Sequence, residues 1–270
     1  MTKKHQQLTF IIILFVILAG LAAWYFHHRS LYPETDDAYV GANTVDISAQ
    51  VTGPVNAIMV ENYQHVTKGQ VLFTILPTNY QAALSQAIAQ ELQTRLNAKR
   101  ITQLAKKGFA SQSDADLATE QWQTAQAQLA QAKLNLQFTQ VTAPQSGQLI
   151  NFNLRIGSTV NPNITLFSII EDQGWWVDAN YKETQLERIH PGQKAEVYLD
   201  MYPDHKFIGT VYQISGGSGE SFSLLPAENA TGNWVKITQR FPVRILLDNN
   251  DPDHLLRVGA SATTEIDTTH

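Results

Sequence analysis

The chain has 270 residues, 43% of them hydrophobic and 16% charged, with a net charge of −5 and no cysteine. That length allows more than one domain, and the acidic balance excludes an overall basic footprint for nucleic acid. The missing cysteine excludes disulfides, thiolate metal sites, a thiol nucleophile and a lipid-bearing N-terminal cysteine.

The first feature in chain order is Leu8–Phe26, an uncharged run of 19 residues. As a helix it is roughly 28 Å long, close to the hydrocarbon thickness of a bilayer. Trp24 and Tyr25 stand at its end, where amphipathic rings favour the interface. Leu8, Trp24, Tyr25 and Phe26 are therefore expected to mark a membrane anchor. Lys3 and Lys4 precede the run and His27, His28 and Arg29 follow it, so the bias for a cytoplasmic N-terminus is weak. A cleaved signal peptide, with Gly20 and Ala22 near the cut, is the rival reading, although its apolar region is usually only about 7–15 residues. On either reading residues from about 30 onward lie across the membrane, which in a bacterium is the periplasm. Residues 31–44 read as a linker and membrane-proximal strand.

An internal repeat follows. Shifted by 94 positions, Ala49, Gly53, Val66, Leu72, Phe73 and Ile75 fall without a gap on Ala143, Gly147, Val160, Leu166, Phe167 and Ile169. Val55, Val60 and Leu76 fall on Leu149, Leu154 and Ile170. Alternating apolar residues make each copy a set of short strands. Gly53 and Gly147 read as turn glycines, and Lys68-Gly69 and Pro162-Asn163 supply further turns. A copy of about thirty residues cannot bury a core alone. Two copies facing each other, over 45–77 and 140–172, would make a β-sandwich with each covering the other's apolar face.

Residues 78–139 between the copies are rich in Gln and Ala. Ala115, Ala118, Trp122, Ala125, Leu129, Ala132 and Leu136 are spaced alternately by three and four, a heptad seam. The earlier arm carries Leu84, Ile88, Leu92, Leu96, Ile101 and Leu104, less regularly spaced. Gly108 can take the positive φ of a helix C-cap, and Ser111 or Ser113 can cap the second helix. The pattern predicts an antiparallel coiled-coil hairpin about 40–45 Å long. Fixed at its base and free at its tip, such a hairpin projects toward a partner; a buried pair inside a larger domain is the alternative.

From residue 173 to the end the pattern is β again. Expected strands are Trp175–Tyr181, Ala195–Met201, Phe207–Ser215, Asn233–Thr238, Phe241–Leu247 and Gly259–Ile266, with a short helix over Glu183–Ile189. They suggest a small β-barrel. Ser215–Gly219 opens a long loop. The fold class is thus mostly β with an α-helical coiled-coil hairpin: a transmembrane helix, a split sandwich, then a barrel.

No nucleophile elbow, phosphate loop or paired-histidine motif occurs, so no catalytic residue, metal or cofactor is expected. Asp36-Asp37 in an extended segment point apart. Trp175-Trp176 reads as packing at a domain junction, with a ligand platform as the alternative.

The segments ISAQVTGPVNAIMV, VTKGQVLFTIL and VTAPQSGQLINFNLRIGSTV, with this order of parts, resemble the HlyD-type membrane fusion proteins, whose split domain is lipoyl-like. The similarity covers about Thr35 to Thr268. Thr35–Gly41 (TDDAYVG) and Leu224–Arg244 (LLPAENATGNWVKITQRFPVR) resemble the EmrA-type branch in particular. The resemblance implies a periplasmic adaptor of a tripartite efflux system. It would join an inner-membrane transporter, usually of the major facilitator class, to an outer-membrane TolC-type channel, and would work as a ring of subunits, a trimer or hexamer. Adaptors for type I protein-secretion ABC transporters and plain envelope tethers are the alternatives. Related adaptors carry Arg, Leu and Ser at the hairpin tip; Arg100, Leu104 and Ser111 stand at those positions here, with Gly108 in the turn. The hairpin is short for the family. A lipoate or biotin carrier is excluded, because the helical hairpin occupies the place where a carrier holds its modified lysine.

Overall fold

A computed structural model describes residues 3–219, 238–248 and 253–269, without the side chains of 3–11, 22 and 26–28. Three helices and fourteen strands follow one another in these residues. The strands are β1 (Glu34–Gly41), β2 (Thr44–Ser48), β3 (Gly53–Ile58), β4 (His65–Val66), β5 (Val71–Ile75), β6 (Gln140–Thr142) and β7 (Gly147–Ile150). They continue as β8 (Thr159–Val160), β9 (Thr165–Glu171), β10 (Trp176–Lys182), β11 (Lys194–Leu199), β12 (Lys206–Ile214), β13 (Arg240–Leu247) and β14 (Ser261–Ile266). The helices are α1 (Lys3–Leu31), α2 (Thr78–Lys106) and α3 (Gln112–Gln137). Two compact units result: Met1–Asn43 with Asp172–His270, and Thr44–Glu171.

In the second unit the strands form two four-stranded sheets, β2-β9-β7-β4 and β6-β5-β3-β8. Each sheet takes two strands from each repeat. This departs from the expectation of one copy facing the other: the copies interleave. The arrangement is a pseudo-twofold, because exchanging β2 with β6, β3 with β7, β4 with β8 and β5 with β9 converts one sheet order into the other. The register obeys it as well: Gly53 pairs with Val160 and Gly147 with Val66, while Phe73 pairs with Val141 and Phe167 with Ile47. Interleaving buries the repeated residues in one core, where Leu72, Phe73, Ile75, Leu149, Phe167 and Ile169 are essentially inaccessible.

The repeated glycine has a different reason from the expected turn. Gly53 and Gly147 lie within strands. A Cβ on Gly53 would stand 2.6 Å from Ile75 Cγ2, and one on Gly147 would overlap the Ile170 carbonyl oxygen and reach 2.8 Å from Ile169 Cγ2. Neighbouring strands approach too closely there for any side chain, once in each copy. The turns expected at Lys68-Gly69 and Pro162-Asn163 do place Gly69 and Asn163, again equivalent positions, at φ of 83° and 65°.

The hairpin leaves the sandwich between two paired strands. Thr74 of β5 faces Gln140 of β6, and Ile75 N–H donates to Thr139 O at 2.7 Å. The α3 seam is as expected: Ala115, Ala118 and Ala125 are buried, and Trp122, Leu129, Ala132 and Leu136 half-buried. The α2 seam is not. Tyr80, Leu84, Ala87, Glu91, Thr94, Ala98, Ile101 and Ala105 turn inward, spaced by four and three, whereas Ile88, Leu92, Leu96 and Leu104 are 36–52% exposed. Small residues on both helices let the backbones approach closely. Trp122 fills the remaining width, and its indole N–H donates to Glu91 Oε1 at 2.9 Å.

In the first unit six strands close a barrel in the order β1-β10-β13-β12-β11-β14. The sequence reading placed all six after Trp175, with one at Asn233–Thr238. Of that segment only Thr238 is described, and it lies outside any strand. The sixth strand is β1, from the segment read as a linker and membrane-proximal strand but not assigned to the barrel, and it pairs with both β10 and β14. Without it those two strands would present open hydrogen-bonding edges. Thr35, Ala38 and Val40 are its buried residues. The helix expected at Glu183–Ile189 is a 3₁₀ turn over Glu183–Arg188. Val177, Ala179, Tyr181, Val197, Val243, Ile245 and Ile266 fill the barrel.

Helix α1 covers the predicted span. Its residues Ile12–Leu31 are long and apolar enough to cross a membrane, at mean hydropathy 1.5, and none of that span is buried. Trp24 and Tyr25 are 65% and 53% exposed; the side chains of Leu8 and Phe26 lie outside the described set. A helix apolar all round and uncovered by protein suits lipid as its surroundings.

Candidate functional site

The turn between α2 and α3 is built by local chemistry. Helix α2 ends at Lys106, and Gly108 takes φ 77°, so that Gly108 and Phe109 N–H donate back to Ala105 and Leu104 carbonyls at 3.0 and 2.9 Å. Ser111 then opens α3 with a capping box. Its Oγ accepts from Asp114 N–H at 3.1 Å, and the Asp114 carboxylate accepts from Ser111 N–H at 3.3 Å. Ser111 Oγ–H also donates to Asp114 Oδ2 at 2.7 Å. The hydroxyl is thus occupied within its own helix, and no bond from it crosses the tip.

Arg100 and Leu104 lie one helical turn apart on α2, on neighbouring faces directed away from the seam. Arg100 is exposed and has no hydrogen bond or ion pair among the described residues; Leu104 is 36% exposed. Sequence reasoning missed Phe109, which is 78% exposed in the turn itself. An aromatic residue beside the turn glycine was the available signal.

Charge divides between the two arms. Helix α2 and its cap carry Arg95, Lys99, Arg100, Lys106 and Lys107 against Glu91; α3 carries Asp114, Asp116 and Glu120 against Lys133. Because Glu91 contacts Trp122, the basic stretch of α2 and the acidic start of α3 stand at similar heights near the tip. Among the described residues the ion pair recorded on the hairpin is Arg95–Glu91 at 3.6 Å, within α2. The opposite charges of the two arms are not spent on each other.

The barrel carries a second polar constellation, on strands β1, β10 and β13. Arg244 Nε and Nη2 donate to the two oxygens of Asp178 at 2.8 and 2.9 Å, and its guanidinium lies 4.4 Å from the Trp176 ring centre. The Asp178 carboxylate holds the Arg244 guanidinium above its ordinary range. Trp176 Nε1–H donates to Asp178 as well, at 2.8 Å, and the indole lies where a Cβ on Gly41 would stand. Arg240 pairs with Asp37 at 3.3 Å, and Asn180 Nδ2 donates to Asp37 at 3.2 Å. Asp36 is exposed. Trp175 Nε1–H donates to Asp172 O at 3.0 Å, and the ring packs on the barrel core. Both indoles are therefore engaged inside the barrel unit. This network joins two segments singled out in the sequence, TDDAYVG and the FPVR end of Leu224–Arg244; residues 224–237 lie outside the described set.

Residues 43–171 match the family model described as "RND MFP, barrel-sandwich hybrid domain", and residues 174–267 match "AAEA-like beta-barrel domain". Among curated relatives, the multidrug export protein EmrA of Haemophilus influenzae is 31% identical, over 98% of this chain and 84% of the relative. The fatty acid resistance protein FarA of Neisseria gonorrhoeae is 33% identical over 98% and 84%. The colistin resistance protein EmrA of Acinetobacter baumannii is 30% identical over 98% and 95%. The first of these alignments runs over 326 positions, more than the 270 residues present here, so that relative has insertions within the matched span. Among solved structures, a MacA–MexA chimera bearing the Pseudomonas aeruginosa MexA α-hairpin superposes with a TM-score of 0.69 at 22% identity, covering 87% of this chain and 82% of the other. The periplasmic adaptor protein EmrA gives 0.52 at 18% identity, over 89% and 99%. At these identities the structures speak to fold alone.

Proposed function

We propose that this chain, which belongs to the EmrA-type membrane fusion proteins, is the periplasmic adaptor of a tripartite efflux pump. As a member of that family it is a structural adaptor and not an enzyme. Helix α1 anchors it in the inner membrane as a single span with the N-terminus in the cytoplasm. The barrel meets an inner-membrane transporter of the major facilitator class. The hairpin tip meets an outer-membrane TolC-type channel, with Arg100 as a planar donor fork for carbonyls or carboxylates, and Leu104 and Phe109 as apolar knobs. Ser111 and Gly108 hold the turn that presents them. A short hairpin calls for a channel or other outer partner that reaches further inward.

The observation that carries this reading is the tip: an aromatic ring 78% exposed on a turn held by a capping box, with Arg100 on the last turns of α2 without a partner among the described residues. Subunits assemble side by side in a ring, the basic flank of α2 meeting the acidic start of the next copy's α3. Unequal surfaces of this kind close into rings. Support for that contact is the unspent opposite charge at matching height on the two arms.

Deleting the protein should sensitise cells to hydrophobic toxicants, and Arg100→Ala or Phe109→Ala should reproduce part of the effect. Unchanged susceptibility of the deletion strain, with the partner transporter expressed, would sink the proposal. For the ring, Lys99→Glu and Glu120→Lys should each weaken crosslinking between subunits, and the double exchange should restore it.

A further inference from the structure

The geometry points to a headgroup site for a zwitterionic phospholipid, a phosphodiester with a primary ammonium, where α1 leaves the membrane. A cleft of about 280 Å³ lies there between the end of α1 and the 3₁₀ turn after β10. Arg29 and Ser30 line one wall, and Thr184, Glu187 and Arg188 the other. The walls are stitched together. The Leu31 carbonyl, which the helix end leaves without an intrahelical partner, accepts from Thr268 N–H and Oγ1–H at 3.1 and 2.8 Å. Ile266 N–H donates to Pro33 O at 3.1 Å, and Gln185 Nε2 donates to Glu34 O at 3.4 Å.

Depth in the bilayer identifies the occupant. Trp24 and Tyr25 are exposed rings of the interfacial kind. Arg29 is one helical turn beyond Tyr25, about 6 Å along the axis, and its Nη1 donates to the Tyr25 hydroxyl at 3.2 Å. That places the cleft mouth at the level of lipid headgroups. Two guanidiniums offer planar donor forks to phosphate oxygens, and the Thr184 hydroxyl can add a donor.

Glu187 narrows the choice. It is exposed, and neither its carboxylate nor the Arg188 guanidinium has a hydrogen bond or ion pair among the described residues. A bare phosphate or a purely anionic headgroup would meet that carboxylate as a like charge. A phosphoethanolamine group brings both signs, phosphate toward Arg29 and Arg188 and ammonium toward Glu187. The cleft has room for a headgroup and not for a whole lipid, so the acyl chains stay in the bilayer beside α1.

The inference rests on the anchored reading of α1. The test is native mass spectrometry of the full chain purified in detergent and titrated in turn with phosphatidylethanolamine, phosphatidylcholine and phosphatidylglycerol, and separately with glycerophosphoethanolamine and inorganic phosphate. Phosphatidylethanolamine should be retained at least about threefold better than either other lipid. Arg188→Gln and Glu187→Gln should each abolish that preference at unchanged thermal stability. The soluble headgroups should compete only weakly, as befits a site that needs the bilayer for affinity. Equal retention of all three lipids, or better retention of phosphatidylglycerol, overturns the site while leaving the anchor in place. Retention of no lipid at all overturns the site, while the anchor is judged separately by whether the chain stays with the membrane on alkaline extraction. If Arg188→Gln leaves lipid retention unchanged but loses the copurifying transporter, the cleft is a protein contact and the inference fails.

Discussion

The sandwich and the hairpin inserted in it treat apolar residues in opposite ways. The sandwich buries its largest side chains completely, with Phe73, Phe167, Leu72, Ile75, Leu149 and Ile169 all below 2% exposed. The hairpin fully buries alanines, Ala98, Ala115, Ala118 and Ala125, half-buries larger seam residues such as Leu84, Ile101, Trp122 and Leu129, and leaves Ile88, Leu92 and Leu96 about half exposed. Large residues in a closed core stabilise a fold by removing area from water. The same residue types on the outside of a helix pair remove less area from water and add correspondingly less. One region closes its large apolar side chains into a core, and the other leaves them at its surface, where the proposed assembly would cover them.

The largest effect that tests this contrast is in the sandwich. Phe167→Ala empties a site shared with Phe73 and Phe152, whose rings lie 6.1 and 4.8 Å away. It should cost about 3–5 kcal/mol in urea unfolding of the full chain. A loss below about 1 kcal/mol would show that the interleaved core is not the source of stability.

The barrel offers a control that leaves both regions alone. Burial pushes the Tyr181 phenol well above its ordinary range, although its hydrogen bond to Thr264 pulls the other way. The neutral phenol is the form the fold favours. Its contribution is complete below the unfolded-state value of about 10 and is lost as pH rises through the folded-state value. Barrel stability should therefore fall above pH about 10 while the helical signal of the hairpin persists. Tyr181→Phe should flatten that fall; an unchanged pH dependence would contradict it.

Within the hairpin the effects should be smaller. Glu91→Ala removes the acceptor of the Trp122 indole and the partner of Arg95, and should cost the hairpin about 1–2 kcal/mol, read as loss of helical signal on heating. Ser111→Ala should cost about 1 kcal/mol by removing the cap, and Ser111→Asp should recover most of it. Efflux restored by Ser111→Asp would identify the residue as a cap, whereas efflux still lost in a stable Ser111→Asp chain would identify it as a contact.

The smallest expected change in stability is the most informative. Leu92→Gln, alone or with Ile88→Gln and Leu96→Gln, should alter stability by no more than about 0.5 kcal/mol per site yet reduce assembly, measured by crosslinking in membranes. Destabilisation as large as that of Phe167→Ala would return these residues to a buried seam and erase the contrast.

The α2 arm shows how far the chain could be read before its fold. Its large hydrophobics are irregularly spaced and do not define a packing face, and of them only Leu84 and Ile101 join the seam, beside Tyr80, Ala87, Glu91, Thr94, Ala98 and Ala105. Which face turns inward depends on the partner helix, whose alanines at Ala115, Ala118 and Ala125 admit close approach where α2 also offers small residues, as at Ala98. Gly108 and a cap at Ser111 or Ser113 were nameable because caps and turns are local chemistry, whereas Arg100 and Leu104 were named through the family resemblance alone. Phe109 stood out only once its exposure was visible.

What was written in the chain alone was whatever acts over a few residues or repeats along it: the apolar span, the 94-residue repeat, the α3 heptad, a cap at Ser111 or Ser113 and the turn at Gly108. Tertiary structure decided what depends on distant partners. It interleaved the two copies, brought β1 back to close the barrel with β10 and β14, and turned Ile88, Leu92 and Leu96 of α2 outward. It also gave Gly53 and Gly147 their reason, the near approach of Ile75 and Ile169. A strand carries its alternation in its own residues but finds its neighbour only where the whole fold leaves an unpaired edge.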